Sequence, residues 1–190
     1  MSTLVISGSP SSTSRTARLA ALVCERIAGL GQTSELLDLR TLPARALLSA
    51  DLADPEVAAA VERVARARGV VVATPIYKAA YTGLLKAFLD LLPQFGLRDK
   101  VVLPLATGGS IAHVLSIDYA LRPVLSSLDP LHIVAGLFIL DKQIVIAPDG
   151  SATLDTEPSL KLDLVLGSYT TALDRAAPAL DRAAAPEVTR

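Results

Sequence analysis

The chain has 190 residues, 51% of them hydrophobic and 19% charged, enough for one compact domain with a substantial core. Lys and Arg number 18 against 19 Asp and Glu, so the formal net charge of -1 argues against nucleic-acid binding, which needs a basic excess to release counterions. No stretch approaches about 18 uninterrupted apolar residues, and the start, MSTLVISGSPSS, has no basic segment leading into an apolar run, so neither a membrane span nor secretion is expected and the chain reads as cytoplasmic.

The first strand is predicted over Thr3–Ser7, followed at once by Gly8-Ser9-Pro10. A helix opens near Ser14 or Thr16, with Leu19, Leu22, Val23, Ile27 and Leu30 along one face and Gly29 and Gly31 at its end. A second strand is predicted over Ser34–Leu39. Asp54-Pro55 then reads as an N-cap with proline at the first helical position, and Val57, Val61 and Val64 form the buried stripe of a helix closed by Gly69. The third strand, Val70–Thr74, is apolar almost throughout, as a strand covered on both faces should be. Further strands are predicted over Lys100–Ala106 and Ile133–Ile139, separated by helices over Thr82–Leu92 and Ile111–Ser127. A small hairpin follows, Ile144–Ala147 and Ala152–Leu154 around Pro148-Asp149-Gly150. The last helix is predicted over Pro158–Arg175.

Five alternations of strand and helix call for crossover connections. The economical arrangement is an α/β fold with a doubly wound, five-stranded parallel sheet of order 2-1-3-4-5. One domain over residues 1–176 is expected, with an Ala/Pro-rich tail, 177–190, that frays. Cys24 falls inside the first helix and reads as a small core filler. The two histidines, His113 and His132, with no HExxH or CxxC, leave nothing to build a metal site from.

In such a sheet ligands bind outside the carboxyl ends of the strands, where the strand order reverses. That selects the loops Gly8–Thr16, Pro75–Gly83 and Thr107–Ser110, which are rich in small and hydroxyl residues although the strands feeding them are apolar. The first, GSPSSTSRT, puts six hydroxyl side chains and Arg15 at a helix start, where free N–H groups welcome an anion. Ser9, Ser14, Arg15 and Thr16 are its candidate phosphate donors; an ordinary serine-rich loop with a helix cap fits the same residues. Neither GxxxxGK[ST] nor GxGxxG occurs, which disfavours ATP hydrolysis and tight Rossmann-type dinucleotide binding.

The second loop, TPIYKAAYTG, leaves its strand at Pro75 and brings Tyr77, Lys78 and Tyr81 close together. Main chain passing a flat heterocycle, with a tyrosine over one side, suits this loop, as does simple packing of both tyrosines on the next helix. In the third, Thr107-Gly108-Gly109-Ser110, the glycines let main chain approach a ligand or make a tight turn. In the helix Ile111–Ser127, Pro123 has no N–H for the carbonyl of Tyr119. A single π-type turn and a plain proline kink with Tyr119 in a subunit contact both meet that constraint.

GSPSSTSRT at Gly8–Thr16, VATPIYKAAYTGLLKAFLDLLP at Val72–Pro93, KVVLPLATGGSIAH at Lys100–His113 and DYALRPVL at Asp118–Leu125 together resemble the NAD(P)H-dependent FMN reductases of the flavodoxin-like superfamily. The likeness extends from about Leu4 to Phe138 and is strongest to the reductase components of two-component alkanesulfonate monooxygenases. The resemblance implies a flavodoxin-like fold in which Ser9, Ser14, Arg15 and Thr16 hold the FMN phosphate. Pro75, Ile76, Tyr77 and Lys78 would line the ring, and Thr107, Gly108, Gly109 and Ser110 its other edge. Many relatives carry arginine after the proline of the first loop, where this chain has Ser11. The resemblance further implies association through the middle helices as a homodimer or homotetramer, with Tyr119 in a π-turn acting as an oligomer gate.

The reaction implied is hydride transfer from C4 of NADPH or NADH to N5 of FMN, which behaves as a substrate or a loosely bound group. Reduced FMN would pass to a monooxygenase, and no side chain is required as acid or base. A flavoenzyme that retains FMN and reduces a quinone, azo compound or chromate would carry the same loops. A flavodoxin-type electron carrier would be strongly acidic, which a net charge of -1 does not match.

Overall fold

Strand β1 (Ser2–Ser7) lies in one parallel sheet between β2 (Thr33–Asp38) and the central β3 (Gly69–Pro75), with β4 (Val101–Gly108) beyond β3. Two short strands, β5 (His132–Ile133) and β6 (Leu137–Leu140), follow each other along the outer side of β4. The order is β2-β1-β3-β4-β5, the doubly wound flavodoxin-like arrangement expected. The structure, a computed structural model, describes residues 2–183; of the expected tail, 184–190 lies outside them, whereas 177–183 does not fray but continues the last helix past the end predicted at Arg175.

Alternation within the strands builds two cores. Leu4, Ile6, Val70, Val72 and Val102 face one way, beneath α3 (Pro55–Arg66), α4 (Gly83–Leu89) and α5 (Arg122–Ser127), after the short α2 (Ala44–Leu48). Val5, Val71, Ala73, Leu103 and Leu105 face the other way, beneath α1 (Arg15–Gly29) and α6 (Thr156–Ala183). Because β3 and β4 are buried at every residue, they read as continuous apolar runs, as interior parallel strands do. An antiparallel pair, β7 (Ile144–Ile146) and β8 (Ala152–Leu154), forms a separate hairpin against α1.

Local chemistry sets the helix ends. Ser14 caps α1 by accepting the Ala17 N–H at 3.1 Å, and Asp54 caps α3 by accepting from Glu56 and Val57 at 3.0 and 3.2 Å. The helix predicted to close at Gly69 stops at Arg66 instead, because Gly69 is already paired in β3. Lys100, nearly buried, donates from Nζ to the carbonyls of Ala65 and Ala67 at 2.9 and 2.8 Å, satisfying the end of α3, and burial holds its ammonium pKa below the usual lysine range. Tyr169 of α6 is fully buried over Gly69, its hydroxyl 3.1 Å from Thr3 Oγ1, and burial pushes its phenol pKa up. Cys24 is half-buried in α1 against the second core, where burial raises its thiol.

Two further expectations are corrected. The single strand predicted over Ile133–Ile139 is split, and Pro104 explains why. The Val102 carbonyl accepts from Val134 N–H at 2.9 Å, so even-numbered residues of β4 direct their polar groups to this side. Pro104 faces the same way with no N–H to give, and pairing resumes only at Leu105–Leu137. Gly136 sits in the gap, where an added Cβ would lie 2.8 Å from both the Pro104 carbonyl oxygen and Ile117 Cγ2.

The continuous helix predicted over Ile111–Ser127 is likewise broken. A 3-10 turn (Ile111–His113), half burying His113, leads into a π-turn (Ile117–Leu121), and only then into α5. Arg122 N–H donates to the Ile117 carbonyl five residues back, the π pattern, just ahead of Pro123. Tyr119 therefore lies in a π-turn, with 79% of its surface exposed.

Candidate functional site

The first loop leaves β1 beneath α4. Gly8 N–H donates to the Ala73 carbonyl at 2.8 Å, and a Cβ on Gly8 would lie 2.9 Å from Leu85 Cβ, so the loop lies close against that helix. Thr82 ties the first two loops together. Its hydroxyl donates to the Gly8 carbonyl at 2.5 Å and accepts the Leu85 N–H at 3.1 Å as the cap of α4, while its N–H donates to Thr74 Oγ1 at 3.2 Å. Sequence reasoning placed Thr82 only at a helix start; its hydroxyl partner, 74 positions away in the chain, has no local signature.

The third loop is tied to both others. Thr16 Oγ1 and Thr107 Oγ1 are 2.7 Å apart, and Ile76 N–H donates to the Thr107 carbonyl at 2.8 Å. Ser9, Thr16 and Thr107 are almost fully buried and Ser14 nearly so, whereas Arg15 is exposed at the first position of α1. Thus Ser9, Ser14, Arg15 and Thr16 surround the start of α1, beside Thr107. Pro75 and Ile76 are buried on the way out of β3, and Gly109 and Ser110 are exposed beyond β4.

Tyr77, Lys78, Ala79 and Ala80 form a two-residue β-turn of their own. Tyr77 and Ala80 exchange N–H···O=C bonds at 2.8 and 3.1 Å, with φ of 52° at Lys78 and 65° at Ala79, the left-handed region at both central positions. Such a turn favours Asn-Gly; Lys-Ala holds it under strain, and its register puts Tyr77 half in solvent while Tyr81 packs on the core. Ala79→Gly is therefore expected to raise stability by about 1 kcal/mol, read as a higher midpoint of thermal or urea unfolding.

The chain after β6 adds a fourth wall that the sequence did not announce. The carboxylate of Asp141, in a 3-10 turn (Asp141–Gln143), lies 4.0 Å from where a Cβ on Gly109 would be. The tip of the β7–β8 hairpin, Gly150 at φ 83°, lies under the Arg18 guanidinium, so the hairpin stands beside the first turns of α1.

Within the three loops the charge is of one sign. The three loops contain no Asp, Glu or His, and α1 has no acidic residue in its first turn, where one would favour the helix. They carry Arg15 and Lys78 instead, so positive charge sits where the helix N-terminus is already positive. Beneath them the hydroxyl of Ser7, the last residue of β1, is buried without a hydrogen-bond partner. This edge can take an anionic group at the start of α1 and a flat group along the main chain of the second and third loops. A phosphorylated heterocycle of the flavin mononucleotide kind fits that donor set.

A cavity of about 910 Å³ lies elsewhere, between Val101 and His132 of the sheet, Leu131 and Val134 flanking β5, and Gly167 and Thr171 of α6. Val101 is the first residue of β4, so this cavity belongs to the opposite end of the sheet from the loops.

Comparison with known proteins places the same residues in context. The profile of a family described as NADPH-dependent FMN reductase matches residues 1–144. An FMN reductase (NADPH) of Escherichia coli (strain K12) is 40% identical over 178 residues, covering 92% of this chain and 91% of that protein. An NADH-dependent FMN reductase, SfnE, of Pseudomonas putida is 36% identical over 159 residues, covering 81% and 84%. Among solved structures, the apo form of the NADH:FMN oxidoreductase EmoB superposes with a TM-score of 0.82 at 41% identity, covering 90% of this chain and 89% of that one.

Proposed function

The chain belongs to the NADPH-dependent FMN reductase family and is an NAD(P)H:FMN oxidoreductase; from that premise we propose that the three tied loops are its flavin site and that reduced FMN leaves for a partner monooxygenase. FMN bound there supplies N5 as acceptor for the hydride of the reduced nicotinamide. Everything else falls to the chain. The hydroxyls of Ser9, Ser14 and Thr16, the Arg15 guanidinium and the free N–H groups of α1 hold the phosphate. Main chain from Pro75 to Lys78 and from Thr107 to Ser110 flanks the ring and orients it toward the nicotinamide. Lys78 adds positive charge beside a ring that gains electrons.

The observation that carries this reading is the pair of ties through Thr107, to Thr16 and to Ile76, which makes one binding edge of three loops. Relatives named FMN reductases have FMN as the group reduced, which favours exchange of flavin over retention. Purified protein is accordingly expected to be nearly colourless and to oxidise NADPH or NADH only when FMN is added. A rate that ignores added FMN overturns the reading. A yellow protein that keeps FMN through gel filtration, with fast quinone turnover, assigns it to the flavin-retaining class instead.

The same reading extends to self-association. Ile111, Val114, Leu115 and Tyr119 are all exposed in and just before the π-turn, and a segment with so many bare apolar side chains suits contact between copies as a dimer or tetramer. Ile111→Asp with Leu115→Asp is expected to give monomers by light scattering, and an unchanged mass overturns this assignment.

A further inference from the structure

Beneath the second and third loops lies a small core separate from the two main ones: Ile76, Ala106 and Ile117, with Phe138 packed against them. Each member comes from a different element. Ile76 is the first residue past β3, and its N–H is one of the ties to Thr107. Ala106 lies near the end of β4, and Phe138 in β6 puts its ring 3.0 Å from where a Cβ on Gly108 would be. Ile117 opens the π-turn.

Ile117 reaches this core through the interruption between β5 and β6. Its Cγ2 lies 2.8 Å from the position of a Cβ on Gly136, so only glycine leaves room for it there. Arg122 holds the turn in that position. Its Nε donates to Asp118 Oδ1 at 3.0 Å, and its two terminal nitrogens donate to the carbonyls of Ile133 and Val134 at 3.3 Å each. Those carbonyls lie at the end of β5, where the sheet breaks off.

We infer that Ile117, held by Arg122, is a positioning residue for the flavin ring: it supports the main chain at Ile76 and, through Phe138, at Gly108. The inference rests on the proposed flavin site and adds to it a residue on the π-turn, remote from the phosphate cradle. Removing Ile117 leaves Ile76 and Phe138 a void to relax into, and the ring-facing main chain moves with them. None of Ser9, Ser14, Arg15 and Thr16 contributes a side chain to this core, and the phosphate cradle meets it only at one remove, through the Thr107 tie.

The test is flavin binding by fluorescence quenching, for FMN and riboflavin in parallel, on wild type, Ile117→Val, Ile117→Ala and Arg122→Met. Ile117→Ala is expected to weaken both flavins by about tenfold, leaving their affinity ratio unchanged, because the ring is common to both and the phosphate is not involved. Ile117→Val restores most of the affinity, and Arg122→Met weakens both flavins in the same sense. In turnover the loss appears in the KM for FMN, with kcat at saturating FMN within about twofold. Unchanged affinity in a folded Ile117→Ala protein overturns the inference. So does a loss confined to FMN, which would place the effect at the phosphate. Should Ile117→Ala fail to fold, Phe138→Leu takes its place, and equal affinity for wild type, Ile117→Val and Phe138→Leu overturns it as well. Wild-type protein that binds neither flavin overturns the site reading itself, and the positioning role with it.

Discussion

Arg15→Glu is expected to raise the KM for FMN by about 100-fold or more while leaving the KM for riboflavin within a few-fold. The two arms of that comparison come from one position. Arg15 is exposed at the first position of α1, in a helix with no acid in its first turn. A glutamate there complements the helix dipole and should stabilise the folded protein by about 0.3–1 kcal/mol. The same glutamate repels a phosphate and removes a charge-assisted donor to it. Stability and flavin use are thus predicted to move in opposite directions, which a merely structural arginine would not produce. Steady-state rates with FMN and riboflavin, alongside an unfolding curve, read both arms. Equal rises for the two flavins would mean that the phosphate does not sit at the start of α1.

Gly69→Ala is the largest expected effect on stability, a loss of about 3 kcal/mol. The added Cβ would lie 2.0 Å from the Tyr169 hydroxyl oxygen and 2.9 Å from Leu173 Cδ2. Tyr169 is fully buried and bonded to Thr3, so its ring has nowhere to withdraw. In a domain of this size that corresponds to a melting temperature lower by about 6–12 °C. Adding Tyr169→Phe removes the hydroxyl that collides and should recover part of the loss, although Thr3 then keeps an unpaired hydroxyl. A double variant no more stable than Gly69→Ala alone would show that the collision is not the cause.

The sheet order and the three loops were legible in the sequence for a simple reason. Strands buried on both faces read as apolar runs, and the loops between them stand out as small and hydroxylated. Asp54-Pro55 and Ser14 marked their helix starts because a cap acts over two or three residues. What could not be read depends on distant partners. Pro104 was visible, but its effect depends on which neighbour its missing N–H faces, and that parity exists only once the sheet has formed. The ties of Thr82 to Gly8 and of Thr16 to Thr107 are of the same kind, hydroxyls whose partners lie far off in the chain. The helix α2 is too short to show a period. Lys78-Ala79 carries none of the residues that advertise a left-handed turn, so nothing in the sequence distinguishes that turn from plain loop. Tyr119 was legible only to the point of two alternatives, and the bond from Arg122 to Ile117 decides for the π-turn.

The broken border beyond β4 bears on how the molecule behaves in a crowded solution. An unpaired border of a sheet is a template on which a stray extended segment can lengthen the ladder, and unbroken borders seed aggregates. Here an intruder meets the two residues of β5, then a gap without ladder, then the four of β6. Neither rung set is long enough to hold a foreign segment in register. The proline that interrupts the strand thus also guards the flank of the sheet against runaway accretion.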